Sequence, residues 1–437
     1  MSNRTLKTLQ FPALKNRKVE AAFDGGSITS DGGILLLRQV EQKTKLLERI
    51  SEIIPDNRNQ KKVTHKVATM LKQRVFGIAE GYEDLNDHDT LRKDIAFQTG
   101  VNIESELASS PTLCRFEHKV TRKMIFDSHK IMVDQFIDSH KKAPKELVLD
   151  FYATDDLVHG NQVGKFFHGY YGNYCFLPLY VFCEDQLLVA YLRPSNKDGA
   201  KHAWAILSLL VKQFRAAWPN VKIIFRGDSG FCRHQMFDWC DKKNVGYITG
   251  IAGNTRLLKL LAPTMQNAET VFYETKEKQR LFTEFSYASK SWSKERRIIG
   301  KAEYTEGGAN PRFIVTNLMG DPQDLYDNMY CVRGNMENRI KEQQLGLFAD
   351  RTSCHEWWPN QFRLLLSSLA YIMVDYLRRY ALRGTELENA QVGTIRLKLF
   401  KIGAAIIKNT RRIKFLLSSH FPFQSIFVHA VQILSSA

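Results

Sequence analysis

Three stretches of this chain, far apart in sequence, each carry an acidic residue at the end of a hydrophobic or aromatic-flanked segment: Leu147-Val-Leu-Asp150-Phe-Tyr152-Ala-Thr154, Ile223-Ile-Phe-Arg-Gly-Asp228-Ser-Gly230 and Tyr330-Cys-Val-Arg333-Gly-Asn-Met-Glu337. The first two read as buried strands running into loops, the third as a polar helix face. Two carboxylates carried by strands and one carried by a helix can meet in space and hold divalent metal ions, an arrangement suited to cutting and joining phosphodiesters. In a strand, Leu147, Leu149 and Phe151 face one way and Val148, Asp150 and Tyr152 the other, which sets Asp150 and Tyr152 about 6–7 Å apart on one face. Asp228 lies between Gly227 and Gly230, which permit tight turns and close approach of a large ligand. A helix N-cap is an equally good reading of Asp228 alone. Tyr330, Arg333, Glu337 and Lys341 recur at spacings of three and four and share a helix face. A carboxylate between cations suits a metal-bound phosphate, although such patterns more often mark a salt-bridged exposed helix.

The elements that must position these residues follow from periodicity. The first 140 residues read as mostly helical: a basic irregular arm over 1–20 with Lys7, Lys15, Arg17 and Lys18, then helices from Ile34 to about Ile50, over 62–80 and over Arg122–His140. Ser30 or Asp31 is placed to cap the first of them. From Glu146 the pattern changes to short apolar runs, Leu147–Phe151, Phe176–Cys183 and Leu187–Leu192, then a helix over Ala203–Phe214, a strand over Val221–Phe225, a helix over Met236–Lys243 and a strand over Gly246–Ile251. That order fits a mixed α/β sheet. Residues 257–319 suit a β-rich insertion, with strands expected at Thr270–Tyr273, Arg280–Tyr287, Arg296–Tyr304 and Arg312–Thr316. Helices return over Asp324–Arg379, and the tail beyond Glu388 contains no acidic residue but carries Arg396, Lys398, Lys401, Lys408, Arg411, Arg412 and Lys414. The expected division is 1–140 for DNA binding and dimerisation, 141–256 for the first part of the core, 257–319 for the insertion, 320–380 for the second part of the core and 381–437 for a helical basic tail.

The bulk numbers agree with a large globular chain and a polyanionic partner. There are 437 residues, 44% hydrophobic and 25% charged, with a net charge of +16 and a sequence pI near 9.4, which makes nucleic acid the first candidate. Seven cysteines without a CxxC pair suit reduced thiols. The longest apolar run, Leu364–Val374, is too short to span a bilayer, and no signal-peptide pattern opens the chain. The expected setting is the cytoplasm, without a membrane. His159 and His168 lack zinc spacing and read as surface histidines. The aromatic run from Phe166 to Tyr174 suits base stacking or, equally, packing at a strand start.

As a set, Phe23-Asp-Gly-Gly-Ser-Ile-Thr-Ser-Asp-Gly-Gly33, Gly81-Tyr-Glu-Asp-Leu-Asn-Asp87, Ser110-Pro-Thr-Leu-Cys-Arg115-Phe-Glu117, Ala153-Thr-Asp-Asp156, His159-Gly160-Asn-Gln162, Phe167-His-Gly-Tyr170-Tyr171, Arg226-Gly-Asp-Ser-Gly230 and Arg333-Gly-Asn-Met-Glu-Asn338 resemble the bacterial insertion-sequence transposases of the DDE superfamily, in the group called 1380. The resemblance implies a ribonuclease H-like catalytic core, a mixed sheet with flanking helices, interrupted by a β-rich insertion. It implies three carboxylates holding two Mg²⁺ ions, which Mn²⁺ can replace, with Asp228 second and Glu337 third. Phosphodiester hydrolysis and transesterification would then cut the terminal inverted repeats of an element and join them to target DNA, within a homodimer. The resemblance also implies a bacterial, nucleoid-associated setting. Tyr330 and Arg333 match the signature around the Glu. The Lys expected seven residues after the Glu is Gln344, and Lys341, one turn along, is the substitute the helix offers. Arg333, Lys341 and Tyr330 are expected to hold the DNA strand, and Arg396, Lys398, Arg411 and Arg412 to bind the ends.

The first carboxylate is the departure. The family pattern Asp-x-Asp-Ala-Thr-Asp-Asp aligns with Asp150 to Asp156 and puts the metal-binding Asp where Tyr152 stands. A neutral phenol, with a pKa of about 10, is a poor Mg²⁺ ligand beside a carboxylate. Three explanations compete: an inactive or repurposed transposase, an introduced substitution, or takeover by Asp150 or Asp155. Loss of activity is favoured, because a functional site must hold its groups to about half an ångström. A DNA-binding protein without chemistry and a metal-dependent nuclease that cuts without joining both stay open.

Overall fold

The computed structural model describes residues 8–436 and forms two compact units, one of residues up to Lys119 together with those from Leu369, the other of Val120–Ser368. Lys7 of the expected basic arm lies outside the described residues.

The first unit opens with strands, not with an irregular arm. Leu9–Leu14 (β1) and Arg17–Ala21 (β2) form an exposed antiparallel hairpin, and Ser27–Thr29 (β3) follows. The expected first helix is two, Ile34–Thr44 (α1) and Leu46–Ile53 (α2), broken where Lys45 takes a left-handed conformation at φ 50°. Val67–Glu80 (α3), His88–Leu91 (α4), Ile95–Gly100 (α5) and Ser110–Glu117 (α6) complete this part.

The second unit starts with Arg122–Asp138 (α7), which packs on the core sheet rather than with the helices before it. The sheet-forming region runs Glu146–Ala153 (β4), Asp156–Leu157 (β5), Phe166–His168 (β6), Asn173–Phe176 (β7), Leu179–Cys183 (β8), Gln186–Tyr191 (β9), Ala203–Ala217 (α8), Lys222–Gly227 (β10), His234–Lys242 (α9) and Gly246–Gly250 (β11). Thr255–Thr275 (α10), Gln279–Tyr287 (β12), Arg296–Thr305 (β13), Gly308–Ala309 (β14) and Arg312–Thr316 (β15) come next. Pro322–Asp324 (α11), Gly334–Leu347 (α12) and Trp357–Tyr376 (α13) close the unit, the last running on past its boundary.

The main sheet has the order β12-β13-β15-β11-β10-β4-β8-β9. β4, β8 and β9 form an antiparallel meander, and β10 and β11 add in parallel on the other side of β4. This is the mixed sheet with flanking helices expected from the resemblance. Residues 257–319 differ from expectation in one place: Thr270–Tyr273 is helical, inside α10. β12, β13 and β15 extend the main sheet through β11.

Alternation along the strands sorts the two faces. Leu147, Leu149, Phe151, Ile223 and Phe225 join buried residues of α7, α8, α9 and α10, such as Phe136, Leu207, Phe214, Phe237 and Leu261, in one core. Ile224, Ile248, Ile299 and Ile314 point the other way, against Leu318, Leu325 and Tyr326, with Val148 packed alongside. Asp150 and Tyr152 follow Val148 on this second face, and Arg226 and Asp228 follow Ile224.

In the tail, Val392–Ile395 (α14) leads to a three-stranded sheet in which Ala404–Lys408 (β16) pairs with Ile413–Leu417 (β17) and with β3, and Gln424–Ser435 (α15) ends the first unit. The tail is thus helical only in part. Asp31 caps no helix: buried, it accepts hydrogen bonds from Lys401 Nζ at 2.5 Å and from the Tyr82 hydroxyl at 2.8 Å, while Gly33 stands at the N-cap of α1. No helix among the described residues is long and apolar enough to cross a membrane, and all seven cysteines are free.

Candidate active site

β4 and β10 run in parallel with Arg226 beside Asp150 and Gly227 beside Phe151. One further step along each strand brings Asp228 alongside Tyr152, on the face away from the main core. Asp228 receives the Gly230 N–H at 2.7 Å and so caps only the short turn Ser229–Phe231, since α9 begins at His234. The cap reading therefore holds locally, and the carboxylate still sits at the strand end, partly exposed.

The helical segment over 325–347 brings up the third group. Arg226 donates to the Met329 carbonyl at 2.5 Å, which pins the chain just before Tyr330. Tyr330 then lies over the end of β11. A Cβ on Gly250 would stand 2.6 Å from the Tyr330 hydroxyl and 3.0 Å from the Ser229 nitrogen, so the close approach needs glycine there. Arg333 reaches Glu337 at 3.1 Å as an i,i+4 pair on one face of the turn leading into α12. Its guanidinium also stands 5.8 Å from the Tyr152 ring centroid and 6.0 Å from that of Tyr330, within cation–π range. Tyr152, Tyr330, Arg333 and Glu337 therefore converge. Lys341 is exposed further along α12. Gln344 donates to the Asp155 carbonyl at 3.2 Å and ties α12 to the loop after β4.

Burial pushes the Tyr152 phenol above its ordinary range, and the Glu337 and Asp228 carboxylates push the same way, against Arg333. The hydroxyl is a neutral group among two carboxylates. Tyr330 is raised by burial as well.

Asp150 lies deeper in the sheet than Tyr152, buried against Arg226. Only 2% exposed, it takes the Arg226 fork on both oxygens, Nε at 2.5 Å and Nη2 at 2.6 Å. Burial pushes its carboxyl up while Arg226 holds it down. Both Asp150 oxygens are thus bidentately paired, and the pair ties β4 to β10 beneath the site. Asp155 is partly exposed in the loop, and Asp156 is buried at the start of β5, with its carboxyl pushed well up by burial.

The fit to metal follows from this donor set. Asp228 and Glu337 supply two carboxylates and position 152 a neutral phenol. No cluster of three His, Cys, Asp or Glu side chains suited to a metal exists among the described residues. The residues present do not fit a centre built on three carboxylates.

A family model described as "Transposase DDE domain group 1" matches residues 11–437. The chain belongs to this family. Among solved structures, the piggyBac transposase synaptic complex with hairpin DNA is similar at 9% identity, with a TM-score of 0.45, over 85% of this chain and 79% of that one. Comparison with curated proteins finds no match.

The tail cations divide on inspection. Arg396 is turned inward, where Nε donates to the Ala79 carbonyl at 2.8 Å and Nη2 to the Ile78 carbonyl at 3.2 Å. It closes the end of α3 beside Gly81, whose φ of +97° favours glycine and where an added Cβ would stand 3.0 Å from the Arg396 side chain. Lys398 lies 4.6 Å over the Phe423 ring and 3.9 Å from Glu386. Arg411 and Arg412 are exposed at the β16–β17 turn, their N–H groups both 3.0 Å from the Asn409 side chain.

Sequence reasoning missed two features: the Arg226 strut and the approach of Tyr171 to Asp155 and Asp228. The strut has a signal, since Arg226 and Asp228 share a face just as Asp150 and Tyr152 do. Tyr171 lies in the aromatic run from Phe166 to Tyr174, which left stacking and packing as equal readings.

Proposed function

We propose that this chain is a DNA-binding DDE transposase that recognises insertion-sequence ends, with Asp228, Glu337, Arg333, Tyr330 and Lys341 facing the scissile strand. In this reading Tyr152 leaves cleavage strongly impaired. The observation that carries it is the convergence of Tyr152 with Glu337 and Asp228 while Asp150 is committed to Arg226. Arg333 and Lys341 would hold the phosphate backbone, and exposed cations such as Arg411 and Arg412 would add salt-dependent affinity for repeat-bearing duplex and for target DNA. Transposition joins two ends, so a homodimer is the expected working form.

Excision of repeat-flanked DNA in Mg²⁺ or Mn²⁺, comparing the chain with Tyr152→Asp, tests the reading. Cleavage and strand transfer are expected only from the variant, and they should vanish again in Tyr152→Asp/Asp228→Ala. Equal cleavage by the chain and the variant would refute the impairment. Cleavage without strand-transfer products would favour the nuclease reading.

A further inference from the structure

We propose that the aromatic hairpin of β6 and β7 is a stacking platform for an unpaired nucleobase beside the scissile phosphate. The proposal rests on the DNA reading above and adds what the site takes besides phosphate. β5 continues the chain directly from β4, and β7 leads directly into β8, the strand paired with β4. The small sheet β5-β7-β6 therefore extends from the end of the β4–β8 pair that carries Tyr152.

Packing does not explain its aromatic content. The strand start is packed by Cys175 and Phe176, both fully buried, whereas Phe167 is 58% exposed, Tyr170 87% and Tyr174 56%. None of the three belongs to the core clusters of this unit. Large exposed rings gathered on one element mark a binding surface rather than a core. Phe167 meets Tyr174 edge-on at 5.6 Å, and Tyr170 stands nearly perpendicular to Tyr171 at 5.0 Å. The Gly172 N–H to the His168 carbonyl, at 2.8 Å, closes the turn, and a Cβ on Gly169 or Gly172 would meet nothing within 4 Å. The tip is open to a ligand. Tyr171 faces inward, where the charges of Asp155 and Asp228 act on it along with Tyr152.

The occupant follows from chemistry. Ring faces beside a cation suit a flat aromatic partner carrying negative charge, and Lys165 Nζ lies 5.5 Å over the Tyr174 ring. Inside a duplex every base face is already covered by its neighbours, and a blunt end exposes only the outer face of a paired base, so an unpaired base is the one that can enter between rings. The chain's net charge of +16 favours a nucleic-acid strand over a basic partner or a second copy of itself.

The test is fluorescence anisotropy with two labelled probes, a blunt duplex and the same duplex with a single-stranded thymine overhang. The chain is expected to bind the overhang probe about tenfold more tightly, the scale of one or two stacked bases. Phe167→Ser/Tyr170→Ser/Tyr174→Ser should bind both probes alike, at the parent's blunt-duplex affinity. Tyr170→Ala, a change at a residue almost wholly in solvent, should lose part of the preference with thermal stability unchanged. A preference that survives the triple substitution overturns the proposal, as does equal loss for both probes. A lower sedimentation mass of the DNA-free triple variant would assign the surface to a second copy instead. Failure of the parent to bind even the blunt duplex would sink the DNA reading itself, and the platform with it.

Discussion

Replacing Arg226 with Met removes one buried cation and leaves one buried anion behind. Asp150 is 2% exposed and both its oxygens are held by the Arg226 fork, while a third Arg226 N–H serves the Met329 carbonyl. Loss of one partner of a buried pair costs about 3–5 kcal/mol because the other charge stays uncompensated. The variant can limit that cost by protonating Asp150. Its folded pKa, already raised from 3.8 by burial, would then rise further above the unfolded value. Stability from such a group is present below the unfolded pKa and is lost as pH rises through the folded one. Arg226→Met should therefore be nearly tolerated around pH 4 and lose about 3–5 kcal/mol at pH 8. Asp150→Leu/Arg226→Met, which puts apolar groups beside Val148 and Ile224, should recover most of the loss. Urea unfolding followed by tryptophan fluorescence is the assay, because all six tryptophans lie within Val120–Ser368 and report that unit alone. A loss below about 1 kcal/mol that is flat with pH, the size of an exposed pair, would refute the strut. It would also return Asp150 to the list of possible metal ligands.

Two further outcomes follow from the first unit and the tail. Glu80 is fully buried, neither oxygen meets a hydrogen-bond partner, and burial followed by the Asp31 charge pushes its carboxyl well above 4.5, against Lys401 and Arg396. Its raised folded pKa makes stability fall as pH climbs from about 4.5 through that value, so Glu80→Gln should flatten the fall in melting temperature between pH 5 and pH 8 in calorimetry. An unchanged slope would refute this. Arg411→Ala/Arg412→Ala should lower the slope of log affinity against log salt for duplex DNA by about 2. Arg396→Ala should leave that slope alone and cost about 1–3 kcal/mol of stability, because it removes the side-chain donor to the Ala79 carbonyl and leaves the Ile78 carbonyl with only the Gly81 N–H.

Much of this arrangement was legible in the sequence because alternation along β4 and β10 is strict. Leu147, Leu149 and Phe151 could face only the core, so Asp150 and Tyr152 had to share the other face. The three-and-four spacing of Tyr330, Arg333 and Glu337 likewise placed them together. What the sequence hid was pairing at a distance. Asp150 meets Arg226 across 76 residues and Asp31 meets Lys401 across 370; alternation puts Asp150 and Arg226 on matching faces but does not show that their strands pair, and the second pairing has no local signature. Thr270–Tyr273 was misjudged for a local reason. Thr, Val, Phe and Tyr all favour strands, yet Leu257, Leu261, Ala268 and Phe272 are buried at helical spacing, and that longer period governs. The opening hairpin β1–β2 is exposed along both strands and so lacks the one-sided burial that would have revealed it.

Mn²⁺ binding measured by calorimetry on the chain and on Tyr152→Asp, without DNA, tests most directly whether position 152 decides what the site can hold. The account expects weak or undetectable binding by the chain and stoichiometric binding by Tyr152→Asp that disappears in Tyr152→Asp/Asp228→Ala. Equally tight binding by the chain and by Tyr152→Asp, lost in both on Asp228→Ala, would contradict it and show that the phenol does not disable the centre.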